Sequence, residues 1–219
     1  MNLDFNAIVP DMPFIFKGVF VTLEFTVIST FFGFILGTIL SIIKIAKFEP
    51  IRWLGIAYTS VFRGTPLLVQ LSLVYFAIPQ LTGYDIPALQ AGVIAFSLNS
   101  AAYVSEVIRA GILAVPKGQR DAALSLGVPY PKMMRDIILP QALKNILPAL
   151  VNEGINLLKD STLVSVITAS DLMRRSEIVM AQTYKYFEPL ILIAAIYYVL
   201  VMFLTWLGRG LERRLRRSD

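Results

Sequence analysis

The chain has 219 residues, 56% hydrophobic and 16% charged, with a formal net charge of +5 and neither cysteine nor histidine. Disulfides, thiolate or imidazole metal sites, and Ser-His or Cys-His catalysis within the chain are therefore excluded. The basic residues sit beside the ends of apolar runs instead of forming one stripe, which is a pattern of membrane topology and not the footprint of nucleic-acid binding.

Several segments are apolar on nearly every face and approach the length of about 20 residues that a helix needs to cross a bilayer. They predict an all-α integral membrane protein with about five transmembrane helices. The N-terminal stretch MNLDFNAIVPDMPF carries Asp4 and Asp11 and no basic residue before Lys17, so it lacks the positive start of a signal peptide and the first segment is expected to be retained. That segment covers roughly residues 14–45 and contains Gly33 and Gly37, whose small-xxx-small spacing lets helices approach closely. Lys44, Lys47 and Arg52 follow it. A second segment covers 53–79, and the turn LTGYD behind it has no basic residue. The third, 88–115, leads into a loop bearing Lys117, Arg120, Lys132, Arg135 and Lys144. The fourth covers 142–167 and the fifth 189–211, whose end and tail carry Arg209, Arg213, Arg214, Arg216 and Arg217. Because basic loops stay in the cytoplasm, the N-terminus is expected outside and the C-terminus inside. Arg174, Arg175 and Lys185 disagree mildly, falling on the outer side. With no repeat or long linker, residues 1–219 read as a single transmembrane domain.

The loop at about 116–140 is more than a connector. Pro116 and Gly118 break the preceding helix, and Asp121, Ala122, Ala123 and Leu124 suit a short one. Gly127 and Val128-Pro129-Tyr130-Pro131 turn the chain, and an amphipathic piece, 132–139, returns to the membrane. Leu124, Leu126 and Tyr130 are then available to dock on a partner.

Ionisable residues at membrane depth are costly, which makes Arg63, Glu106, Glu153, Lys159 and Asp160 functional candidates. Counting from Lys144 at the rise of an α-helix, Glu153 lies roughly 13 Å deep and Asp160 roughly 24 Å. Glu153, Asn156 and Asp160 share one face of the fourth segment; Asn99, Tyr103 and Glu106 share one face of the third. Asn99, Tyr103, Glu153, Asn156 and Asp160 are thus the candidate substrate-binding residues. Arg63 has nearly the depth of Glu106 and Glu153, and a structural ion pair of Arg63 with Glu106 is expected. Lys159 points away from Asp160 and is expected to snorkel outward or to meet a polar loop.

Asp121-Ala122-Ala123, Gly127, Ile137, Leu139 and Pro140 match the EAA loop (EAA, three residues, Gly, nine residues, I-x-L-P), with Asp in place of Glu. The stretches RGTPLLVQL (63–71), AAYVSEVIRAGILAVPKGQ (101–119) and INLLKDSTLVSVI (155–167) accompany it in order. In these four motifs the chain resembles the permease subunits of ATP-binding-cassette importers, in the polar amino acid branch. The resemblance implies a type I permease fold with a cytoplasmic coupling helix, a multi-pass location in the bacterial cytoplasmic membrane, and no enzymatic activity. It implies that Asp121, Ala122, Ala123 and Gly127 sit in a groove of a separate ATP-binding subunit. No phosphate-cradling G-x-x-x-x-G-K-[ST] occurs in the chain, so no cofactor is expected here, and ATP and Mg belong to that subunit. The implied partners are this subunit, a second permease (an identical copy or a homologue), an extracytoplasmic amino acid-binding protein and membrane lipid, with no nucleic acid. Carboxylates without an assigned cation favour basic L-amino acids (arginine, lysine or histidine) as cargo. The alternatives are a glutamine/glutamate-type permease, or an ion-coupled carrier or channel using Glu153 and Asp160 as relays.

Overall fold

A computed structural model of the chain describes residues 3–46 and 48–216, the side chains of 215 and 216 excepted. Lys47, Arg217 and the side chain of Arg216, three of the charges used for topology, lie outside this set. No strand occurs among the described residues.

A 3-10 helix, Phe5–Asp11, leads into α1 (Met12–Lys44), with Pro13 in the first turn where no N–H is needed. Then follow α2 (Glu49–Gly64), α3 (Leu67–Ser72), a π-helical turn (Leu73–Ala77), α4 (Ile78–Thr82) and α5 (Ala88–Leu113). The expected loop forms α6 (Lys117–Ser125), and α7 (Tyr130–Met133) runs through a second π-helical turn (Met134–Ile138) into α8 (Leu139–Asp160). A 3-10 segment (Ser161–Ile167), α9 (Leu172–Thr183) and α10 (Phe187–Arg216) complete the chain.

Phe5–Lys44, Ala88–Leu113 and Phe187–Arg214 are long and apolar enough to cross a membrane. The second expected segment is not one straight helix: Glu49–Gly64 and Leu67–Thr82 are bent by 104° at the break between them. Thr65 is extended there (φ −119°, ψ 145°) because the proline that follows disfavours helical geometry, and Pro66 has no N–H to continue the ladder. The fourth expected segment exists as α8, but its 22 residues include Lys144, Glu153, Lys159 and Asp160, so composition alone does not mark it as a span. The amphipathic piece before it continues into α8 without a break at Pro140, which occupies the first turn.

The α1 and α5 helices pack face to face. A Cβ on Gly33 would lie 2.7 Å from Ser100 Cβ, and one on Gly37 would lie 2.6 Å from Val104 Cβ, so the small-residue spacing marks a true close approach. Phe25 and Phe96 meet edge to face at 4.8 Å in the main apolar core, with Leu71, Leu157 and Val164 around them. A second core of Val115, Ala123, Met133, Ile138, Ala142 and Ile146 fastens the α6 loop to the adjoining ends of α5 and α8. A third joins α9 to α1 and α10 through Ile15, Leu172, Val179 and Ile193. Two of the basic residues that disagreed with topology are occupied locally. Arg174 pairs with Glu177 at 3.2 Å, and Arg175 donates to the Ser170 and Phe14 carbonyls while covering the Phe14 ring at 4.7 Å.

Candidate functional site

A cavity of about 350 Å³ opens where the broken helix meets α5 and α8. The break contributes Thr65, Pro66 and Leu67, α5 contributes Asn99 and Tyr103, and α8 contributes Glu153, Asn156, Leu157, Lys159 and Asp160. All five expected substrate-binding residues, Asn99, Tyr103, Glu153, Asn156 and Asp160, therefore line one space. The spacing of 153, 156 and 160 puts three polar groups on one face of α8. Lys159 lines this cavity too, facing the Thr65–Pro66 break, the second of the two placements expected for it.

The wall at the break is held by two buried amides. Gln70 Nε2 donates to the Phe62 carbonyl at 2.9 Å, to Thr65 O at 3.1 Å and to Thr65 Oγ1 at 2.8 Å. Asn99 Nδ2 donates to Gln70 Oε1 at 2.9 Å and to the Phe62 carbonyl at 3.2 Å. The carbonyls orphaned where α2 ends are thereby satisfied by side chains, as a buried helix end requires. Asn99 spends its donors on the break and has its amide oxygen left to offer the cavity. Gln70 was missed at the sequence level, although a lone polar residue in the apolar stretch of RGTPLLVQL is a visible signal.

Ser100 Oγ donates to Glu153 Oε1 at 3.0 Å. Among the described residues, neither Glu153 nor Asp160 has a cation within 4.0 Å, and Lys159 acts on Asp160 through space without forming an ion pair. The cavity thus carries two carboxylates and one ammonium whose charges are not cancelled by direct pairing.

The expected Arg63–Glu106 ion pair does not form. Glu106 is held by Lys44 and by Arg109, the latter at 2.7 Å. The Arg63 guanidinium instead lies over the Tyr103 ring, 5.4 Å from its centroid. Depth matching placed Arg63 level with Glu106, whereas Arg63 sits beside Tyr103, one helical turn away on α5, and it treated Lys44 as a topology charge only. Lys44 also reaches Thr59 Oγ1 at 3.3 Å and Ser105 Oγ at 3.4 Å.

On the loop, Asp121 and Ala122 are exposed while Ala123 is buried against the second core. Leu124, Leu126 and Tyr130 are 54%, 82% and 60% exposed. Gly127 has φ +70°, a left-handed conformation that glycine adopts without strain, and it ends α6 so that this apolar group projects from the surface.

The family described as "binding-protein-dependent transport system inner membrane component" matches residues 29–217. The arginine transport system permease protein ArtQ of Bacillus subtilis (strain 168) is 56% identical over 219 residues, 100% of both chains. A putative glutamine transport system permease protein GlnP of Rickettsia felis (strain ATCC VR-1525 / URRWXCal2) is 50% identical over 206 residues, 94% of each. Among solved structures, an amino acid ABC transporter crystallised with histidines superposes with a TM-score of 0.94 at 47% identity, covering 98% of this chain and 100% of that one. An inward-facing MetNI methionine ABC transporter shares the fold, with a TM-score of 0.77 at 21% identity, over 94% of this chain and 98% of that one.

Proposed function

The chain belongs to the family of binding-protein-dependent transport system inner membrane components, and from that premise we propose that it carries basic L-amino acids into the cytoplasm through the cavity at the helix break. It is an amino acid permease subunit of an ABC importer in the bacterial inner membrane, not an enzyme; ATP hydrolysis belongs to a separate ATP-binding subunit. That subunit and a substrate-binding protein are the partners that the family implies.

The observation that carries the cargo assignment is the charge set of the cavity. Glu153 and Asp160 against Lys159 leave one net negative charge, which complements an amino acid whose side chain is cationic. Lys159 is the donor for the α-carboxylate. One acidic residue receives the α-ammonium and the other the distal cation, through charge-assisted hydrogen bonds. Tyr103 and Asn156 complete the wall, and Asn99 offers its amide oxygen. The likeness to an arginine permease supports this reading, and the likeness to a putative glutamine permease makes glutamine the competing cargo.

Asp121, Ala122, Ala123 and Gly127 present α6 to the ATP-binding subunit, where ATP and Mg are held, and the permease works beside a second copy or a homologue. Closure of the ATP-binding subunits moves α6, and with it α5 and α8, as a rigid-body switch between access states. An ion-coupled carrier would leave the exposed Leu124, Leu126 and Tyr130 without a task.

Reconstituted vesicles test the proposal. With the delivering protein outside and ATP enclosed, uptake of arginine, lysine or histidine is expected to exceed that of glutamine, and to stop without ATP. Equal uptake with and without ATP contradicts the reading, as does preference for glutamine.

A further inference from the structure

Lys44 stands at the point where three helices meet. Its side chain is 8% exposed, and its ammonium contacts Glu106 and Ser105 on α5 and Thr59 on α2 from the last turn of α1. Glu106 is braced on its other oxygen by Arg109. The backbones allow this because α2 lies close: a Cβ on Gly55 would be 2.9 Å from Ile43 Cγ2 and 3.0 Å from Lys44 Cγ.

Each arm of this junction leads to a described part. On one side, Glu106 is followed on α5 by Val107, Ile108 and Ile112, which pack on the core that holds Ala123 of α6. On the other, one turn beyond Thr59 on α2 comes Arg63 over Tyr103, with the Phe62 carbonyl held by Asn99 and Gln70 at the cavity wall. The junction lies one helical turn from Tyr103 along α5, between the cavity and α6.

We propose that Lys44 is a positioning residue for transport: clamped to Glu106, Ser105 and Thr59, it makes α2 follow α5, so that displacement arriving at α6 moves the Thr65–Pro66 wall of the cavity. A buried ammonium that leaves its carboxylate is strongly disfavoured, so the two helices move together. Without the clamp α5 still responds to the ATP-binding subunit but α2 lags, and hydrolysis proceeds without moving the wall. The inference rests on the reading of α6 as the surface that meets that subunit.

The test uses the full complex with its binding protein in vesicles, arginine as cargo, and the amount imported per ATP hydrolysed as the readout. Lys44→Met is expected to lower that ratio by about tenfold while stimulated hydrolysis stays within about twofold. Thr59→Val removes one oxygen without stranding a charge, and it is expected to lower the ratio by about threefold, so it carries the test if Lys44→Met does not assemble. Lys44→Arg, which retains the charge, should recover part of the ratio. Spin labels at Val61 and Leu113 supply a second readout: their separation should stay fixed between nucleotide states in the native complex and vary in Lys44→Met. An unchanged ratio with an unchanged separation overturns the clamp. The α6 reading fails on a different result, normal assembly and normal stimulated hydrolysis with Gly127→Trp.

Discussion

Asp171 shows how much one carboxylate can reveal. It is fully buried, caps α9 by accepting the Arg174 N–H at 2.8 Å, and leaves Oδ2 without a partner. Burial pushes its pKa from 3.8 up to about 6, against the opposing effect of the capping hydrogen bond. Because the folded state binds the proton more tightly than the unfolded state, the stability contributed is fully present below the unfolded value and is lost as pH rises through about 6. Asp171→Asn keeps an acceptor for the cap and removes the charge, so it should stabilise the protein by about 1 to 3 kcal/mol at pH 8 and flatten the loss between pH 4 and 7. Detergent melts of both proteins across that range check this; parallel pH curves would contradict it. At the same scale, helix-face geometry was enough to gather Glu153, Asn156 and Asp160, and Asn99 with Tyr103, since 3.6 residues per turn holds along any unbroken helix. It could not choose between two placements for Lys159, because side-chain reach and helix packing, not spacing, decide where a flexible four-carbon stem ends.

Among the elements, the break at Thr65–Pro66 matters most, and it was the least legible. Hydropathy reads composition, and residues 53–79 are apolar enough for one span, yet φ and ψ at Thr65 turn the chain. The Thr-Pro pair stood in a quoted motif, but a proline can kink a helix as well as end it, so periodicity did not choose between them. The expectation of an Arg63–Glu106 pair failed for another reason, since Lys44 and Arg109 already hold Glu106, whereas the Gly33/Gly37 spacing succeeded because α1 and α5 are unbroken helices in close approach there. The break depends on Gln70, which satisfies Phe62 O and Thr65 O. Gln70→Leu conserves approximate size and strands those carbonyls together with Asn99, so it should cost about 1 to 3 kcal/mol. The melting temperature in detergent should fall accordingly, and Asn99→Leu added to it should cost less than the two single losses combined, since they share partners. Strict additivity would remove the network from the account of the break.

At the scale of the whole molecule, the same two helices, α5 and α8, carry an exposed loop helix at one end and wall a charged cavity along their length. The loop was legible because Pro116, Gly118 and Gly127 bracket helix-forming residues in a connector longer than two membrane spans need, and the structure leaves its Leu124, Leu126 and Tyr130 exposed. Replacing Asp121-Ala122-Ala123 with lysines should leave membrane insertion intact, reduce co-purification with the ATP-binding subunit, and lower transport in step, as measured by pull-down from native membranes; full recovery of the complex would contradict the docking role. The cavity carries the central claim, that Glu153 and Asp160 choose the cargo by charge. The most direct measurement is the ratio of arginine to glutamine uptake by the ATP-loaded, reconstituted complex, compared between the native chain and Asp160→Asn, which retains shape and hydrogen-bonding capacity. A lost charge-assisted contact of about 1.4 kcal/mol or more predicts at least a tenfold fall in that ratio, driven by arginine. An unchanged ratio in Asp160→Asn and in Glu153→Gln alike would contradict the claim.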